Sequence, residues 1–214
     1  MGDGTASNGT RLLTRESIEQ MQTPLLPATG LSSIGLSWWI TPIKDAKLVG
    51  HGGGTNGQVS ALRLVPASQF AMVVLTNCDM GGNVCNHTID AALKQFLDLT
   101  IPSAEPLDLP QETLQEYTGK YDSAGATCSL TIQEGKLILE ETIKGGFPTP
   151  ESPPPPSPPP VRIALYAEDR FIVLDEPMKD ARGEFLRNPD HSLAWLRFGG
   201  RIHAHLGTLE TRNT

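Results

Sequence analysis

The residues best suited to chemistry in this 214-residue chain lie in one stretch, KLVGHGGGTNGQVSALRLVP, where His51 runs into Gly52, Gly53 and Gly54 and Gly57 follows. Histidine changes charge near neutral pH, and glycine lets a ligand approach the main chain without meeting a side chain. Gly52, Gly54 and Gly57 spell G-x-G-x-x-G, and Asp79 follows at about the 20-residue distance where a dinucleotide site places its ribose-binding acid. That reading requires a crossover helix. Gln58 to Val65 would have to supply it, but Pro66 ends the run short of the roughly 10 to 12 residues such a connection needs. The same residues alternate, with Ser60, Leu62 and Leu64 on one side and Val59, Ala61 and Val65 on the other. The expectation is a strand, a glycine turn and a second strand, with dinucleotide binding as the weaker alternative.

The flanks of the stretch follow a family order. From Gly30 to Leu97, with IGLSWWI before the glycines and SALRLVPASQFAMVVLTN after them, the chain resembles the C-terminal part of the β-lactamase-like serine hydrolases. This is the penicillin-binding-protein fold, and the closest branch holds class C enzymes, D-aminopeptidases and related esterases. In that resemblance His51-Gly52-Gly53 stands for the family's K-T-G or H-x-G triplet on an active-site strand. It implies that Gly54 donates its N–H into an oxyanion hole, that Gly53 keeps the edge open, and that His51 orients the site in place of lysine. It further implies acyl-enzyme chemistry on a small ester or amide, with D-amino-acid derivatives favoured over classical β-lactams because histidine is a weaker carboxylate anchor.

The rest of that machinery is not in the sequence. No serine has a lysine three residues on, and no Y-x-N or S-x-N occurs; Thr41-Pro42-Ile43-Lys44 is the nearest approximation to S-x-x-K. The expectation is therefore the C-terminal portion of a serine hydrolase, truncated with respect to its nucleophile and not catalytic alone. The competing expectation is a non-catalytic binding or interaction protein, a β-barrel joined to a hydrolase remnant. No cofactor is expected. No metal is expected either, since the cysteines lack C-x-x-C spacing and His203 and His205, two apart in a strand, have no third ligand in view and read as surface residues.

The elements that must position these residues give an α+β chain: an antiparallel sheet with a covering helix, then a small antiparallel β-barrel or meander. In residues 1–103, Thr14 caps a short helix over Arg15 to Gln22. IGLSWWI, Lys47 to His51 and Gln58 to Val65 read as strands, FAMVVLTN as a strand buried on both faces, and Asn86 to Leu99 as the covering helix. The connector IPSAEPLDLP separates a second domain, residues 104–214. There the pairs Glu134-Gly135, Glu168-Asp169 and Gly199-Gly200 sit between alternating runs, and about eight strands can be counted, the number that closes a small barrel. This part resembles the lipocalin-like β domain appended to many of those hydrolases, and it offers a surface for self-association. Tyr166, Phe171, Trp195 and Phe198 are expected in its core. FPTPESPPPPSPPP, residues 147–160, reads as a polyproline II spacer in a hairpin loop.

Charge narrows the partners. Lys and Arg number 17 against 24 Asp and Glu, a formal net charge of -7 that repels nucleic acid and anionic membranes. No apolar run reaches the roughly 20 residues of a membrane span, MGDGTASNGTRLL has neither the basic start nor the apolar core of a signal peptide, and the compartment is left open. With no S-x-x-K serine, the chain should neither become labelled by a fluorophosphonate nor turn over p-nitrophenyl esters. Stoichiometric labelling of one serine, seen by intact mass, would contradict this.

Overall fold

In the computed structural model, residues 3–55, 57–146, 149 and 151–207 are described, and they fall into two units, Met1–Ser103 and Ala104–Thr214. The chain is mixed α and β, with antiparallel pairing in both units.

The first unit opens with α1 (Arg15–Met21), whose Thr14 side chain accepts a hydrogen bond from the Ser17 N–H as an N-cap should. The strands β1 (Leu26–Pro27), β2 (Ser33–Ile34), β3 (Trp39–Ile43), β4 (Ala46–Thr55), β5 (Gln58–Val65) and β6 (Phe70–Thr76) pair in that order. Each is antiparallel to the next, a meander that excludes the parallel crossover of a dinucleotide fold. Helix α2 (Gly81–Leu97) follows and buries Cys85, Ile89 and Leu93. These close a core with Leu48, Ala61 and Val65, so alternate residues of β4 and β5 face the helix.

Two sequence expectations change here. IGLSWWI is a tight turn between two strands: the Gly35 N–H donates to Trp38 O, and Ser37 sits at φ 63°. A side chain at Gly35 would meet Met21 O at 2.5 Å, so the chain must turn with glycine there. The run FAMVVLTN is half-exposed, with Val73 60% and Leu75 77% accessible, because α2 covers one face of the sheet at β6 and nothing described covers the other. An apolar run alone cannot say how many faces are covered.

The second unit carries α3 (Gln111–Gln115), then β7 (Gly119–Asp122), β8 (Ala126–Gln133), β9 (Lys136–Ile143), β10 (Val161–Ala167), β11 (Arg170–Val173), β12 (Arg182–Arg187), β13 (Leu193–Phe198) and β14 (Arg201–His205). These eight strands close as a barrel through β14 and β7. The hairpin turns are those marked by composition: Glu134 and Gly135 at φ 49° and 72°, and Gly199 and Gly200 at φ 56° and 72°, take the left-handed conformations that match strand twist.

The barrel interior is filled. Tyr121, Phe171, Phe185 and Phe198 pack ring against ring among Leu130, Leu137, Leu139 and Leu196. Burial and loss of water push the Tyr121 phenol above its ordinary range, and its hydroxyl donates to Tyr117 O. At one end Arg187 joins Asp169 and Glu116 in an ion network, and the Tyr117 hydroxyl donates to Asp169. The two histidines of β14 point inward and not to the surface: His203 is buried beside Cys128, with 3.9 Å between Nδ1 and Sγ, and the His205 ring stacks on Tyr121. Trp195, expected in the core, is on the outer side of β13 and exposed, whereas Phe171 and Phe198 are buried.

Residues 144–160 form the connection between β9 and β10. Pro153 to Pro156 are exposed and outside any strand, while Phe147, Pro148 and Pro150 of the polyproline expectation lie outside the described residues. The Ser157 hydroxyl accepts a hydrogen bond from the Ile143 N–H, tying the segment back to the end of β9.

The two cores should fail differently. Leu93→Ala removes a fully buried side chain from beneath the sheet and is expected to cost about 2–5 kcal/mol. In the barrel, a methyl on Gly183 would come within 2.1 Å of Phe171 Cζ, so Gly183→Ala overpacks that core and should cost about 1–3 kcal/mol. Urea denaturation of each variant, read by tryptophan fluorescence and near-ultraviolet dichroism, checks both values.

Candidate functional site

The glycine stretch lies on β4 and the start of β5. β3 pairs with β4 only from Ala46 to Gly50, so among the described residues strand β4 beyond Gly50 has β5 on one side and an open edge on the other. Thr55 pairs with Gln58 across a two-residue turn, a hydrogen-bonded position in an antiparallel hairpin. The alternation of such a ladder then aims the N–H and C=O of His51 and Gly53 at β5 and those of Gly52 and Gly54 at the open edge. His51, Gly52, Gly53 and Gly54 are all exposed.

Side-chain direction completes the geometry. Ala61 faces α2, so its neighbour Leu62 and Leu62's partner His51 lie on the opposite sheet face, with Gly53 and Ser60 one step further along. The structure thus brings His51, Gly53 and Gly54 together along one exposed strand edge. Room for a side chain differs along that edge: a Cβ added at Gly53 or Gly54 would meet no atom of the described residues closer than 3.7 Å. At Gly50 a Cβ would strike Leu62 O at 2.5 Å and Arg63 Cδ at 2.6 Å. Gly50 is therefore glycine for packing, and the two further along leave open space above the main chain.

Asp79 has a role other than ribose binding. Its carboxylate accepts a 2.6 Å hydrogen bond from the Gly57 N–H, clamping the turn between β4 and β5 to the loop that follows β6. Gly57 is at φ 79°, where a side chain would be strained. The spacing that imitated a nucleotide fingerprint is the spacing of a structural contact.

Arg63 and Gly50 went unremarked in the sequence reading. The half-buried Arg63 guanidinium lies over Gly50 and donates to Leu62 O at 2.9 Å, and burial lowers its pKa from the ordinary arginine value. The only signal in the sequence was an arginine within an otherwise apolar alternation.

Candidate nucleophiles do not gather at this edge. Thr41-Pro42-Ile43-Lys44 runs along β3 into a turn, with Lys44 at φ 48° and its Nζ on Asp98 O at 2.6 Å, so it is not the helix start an S-x-x-K motif needs. Cys128 lies inside the barrel, and burial pushes its thiol up to about 12, which leaves no thiolate at neutral pH. Cys78 is exposed, Cys85 and Cys128 are buried, and all three cysteines are free. Among the described residues no group of His, Cys, Asp and Glu is arranged to hold a metal, and no helix is long and apolar enough to cross a membrane.

No protein-family model and no curated protein matches the chain. Solved structures do. A crystal structure of SurE with D-Leu matches over 91% of this chain and 44% of its own, at 23% identity and a TM-score of 0.63. A crystal structure of SurE matches over 91% and 43%, at 24% identity and a TM-score of 0.60. The chain shares a fold with SurE and spans less than half the length of either structure.

These matches correct the functional expectation. The solved structures that share the fold are described as SurE, and neither is described as a β-lactamase, a penicillin-binding protein or a serine hydrolase. The shared fold accordingly does not support the expected β-lactamase-related acyl-enzyme chemistry on esters or amides. The alternative of a barrel that binds small apolar ligands meets a physical obstacle, because aromatic rings and leucines occupy the interior.

If Asp79 fixes the hairpin, Asp79→Ala should free the Gly57 amide. Hydrogen exchange at Gly57 and at Gly53, whose N–H faces β5, is expected to quicken severalfold, with a stability loss of about 0.5–1.5 kcal/mol in denaturant titration. Unchanged exchange at Gly57 would contradict the clamp.

Proposed function

We propose that this chain is a portion of a SurE-like protein and that the open edge of β4 forms one wall of a binding site for a small ligand carrying a D-amino acid. The observation that carries the reading is the glycine edge itself, Gly52 to Gly54, in a chain that shares its fold with a structure of SurE holding D-Leu.

The chemistry of the edge suits such a ligand. An amino acid carries a carboxylate that accepts hydrogen bonds and an ammonium that donates them. Each outward-facing residue of an antiparallel edge offers an N–H and a C=O side by side, so Gly52 or Gly54 can meet both groups at once. Glycine matters because a D residue directs its side chain to the side where an L residue has hydrogen. An edge with open space at Gly53 and Gly54 accommodates that side chain. His51, exposed beside them, supplies a donor and, when protonated, a positive charge for the carboxylate. The sheet behind, with Arg63 and the Asp79 clamp, holds the edge in place.

Titration of the ¹⁵N-labelled chain with D-leucine tests this directly. Saturable shifts are expected at the Gly52, Gly54 and His51 amides, several times larger than those caused by L-leucine at equal concentration and absent in Gly54→Val. Equal responses to the two enantiomers, or no saturable response, would overturn the reading.

A further inference from the structure

One connection of the barrel is far longer than its strands require. The turns from β8 to β9, from β10 to β11 and from β13 to β14 take two residues each, whereas β9 and β10, neighbours in the same barrel, are joined by residues 144–160. Hairpin loops commonly take about 2–5 residues, and a connection beyond about 12–15 without helix or strand is either functional or a linker between independent parts. This one joins adjacent strands, so it has nothing to keep apart.

Composition decides its shape. Seven of the eight residues from Pro153 to Pro160 are proline, interrupted by Ser157. Each ring fixes φ near about −65° and keeps the residue before it out of the helical region, so the run is confined to polyproline II and lies outside any helix or strand. At about 3.1 Å per residue it spans roughly 25 Å. Both ends are held. At one, the chain passes so close to Gly146 that a Cβ there would meet Ser152 O at 2.0 Å and Pro153 O at 2.7 Å. At the other, the Ile143 N–H donates to Ser157 Oγ at 3.0 Å and Val161 pairs with Leu139. The tract is extended and anchored before anything touches it, which lowers the ordering cost of binding.

Exposure shows which side is presented. With three residues per turn, Pro153, Pro156 and Pro159 share one ridge, and all three are exposed. Pro158 is partly buried and Ser157 is bonded to the end of β9, which marks the side toward the barrel. Charge then narrows the partner. No Asp, Glu, Lys or Arg lies between Ser152 and Pro160, and the basic side chains at the flanks are engaged: Lys144 Nζ with Asp122 and Ser123 O, and Arg162 with Asp175 at 2.6 and 3.0 Å. An acidic pocket seeking a flanking cation would find none free. What the tract offers is apolar rings and main-chain carbonyls with no proline N–H beside them, and a groove of aromatic rings is complementary to that. We infer that Pro153 to Pro160 form the docking site for a separate protein domain whose uncharged, aromatic-lined groove reads polyproline II. The inference concerns the second unit alone and is independent of D-amino-acid binding at β4.

Titration of a ¹⁵N-labelled WW domain selective for uncharged proline runs with the whole chain tests it. Saturable shifts are expected at the aromatic groove residues of that domain, with an affinity that changes less than about twofold between about 0.1 and 1 M salt. The combined variant Pro153→Ala, Pro154→Ala, Pro155→Ala, Pro156→Ala should weaken binding at least about tenfold, because it removes both the rings and the fixed φ. All four side chains are exposed, so the melting temperature should not move, which separates lost docking from lost folding. No saturable shift, equal binding by the alanine variant, or an affinity that falls steeply with salt would each overturn the inference. So would tighter binding to an SH3 domain with an acidic pocket, since charge would then select the partner.

Discussion

A strand whose residues are largely glycine cannot be held in place by its side chains. Gly52, Gly53 and Gly54 have nothing to bury, so their position depends on the hydrogen-bond ladder from β4 to β5. That ladder is anchored at one end by buried Leu48 and Val49 and at the other by the Asp79 carboxylate on the Gly57 N–H. The site has the same origin: the strand that packing cannot hold is the strand a ligand can reach. Glycine weakens a strand by its entropy, and here β5 and the Asp79 clamp offset that cost.

The two units solve the problem of apolar surface in different ways. The barrel closes its sheet on itself and fills the inside with aromatic rings, so its strands have no free edges and little of its core meets water. The open sheet of the first unit leaves Val73 and Leu75 to solvent and ends at β6, which among the described residues has no partner strand on its outer edge. The first unit therefore holds both the exposed main chain of β4 and the exposed apolar face of β6. The barrel contributes a self-sufficient core whose ionised groups, such as Arg187 with Asp169 and Glu116, are spent on structure.

Much of the fold was legible because it rests on local rules. Alternation over Gln58 to Val65, two-residue turns such as Glu134-Gly135 and Gly199-Gly200, the Thr14 cap and the helical spacing of Ile89 and Leu93 each act within a few residues. What failed depended on distant parts of the chain. The turn within IGLSWWI is forced by Met21, the bare face of β6 by the absence of cover, and the inward aim of His203 by a register that only barrel closure sets. Trp195 went outward on β13 because strand alternation, not hydrophobicity, chooses the face. In the site, the open strand of His51 and the glycines was legible, whereas Arg63 and the Asp79 clamp were not, since each needs a partner brought near by folding.

By itself the sequence determined the α+β class, the antiparallel meander, the barrel hairpins and the glycine strand beginning at His51, since turn chemistry and side-chain periodicity are local. It did not determine what the strand serves, because motif resemblance led toward serine hydrolases while the shared fold is that of SurE. Tertiary structure alone decided that β3 stops at Gly50 and leaves the β4 edge open. It alone decided that Asp79 holds a turn in place of a ribose, and that the barrel is filled and the sheet face bare. The physical reason is the same in each case: hydrogen bonding and burial depend on which distant segment arrives, and residue types in order do not encode that arrival one position at a time.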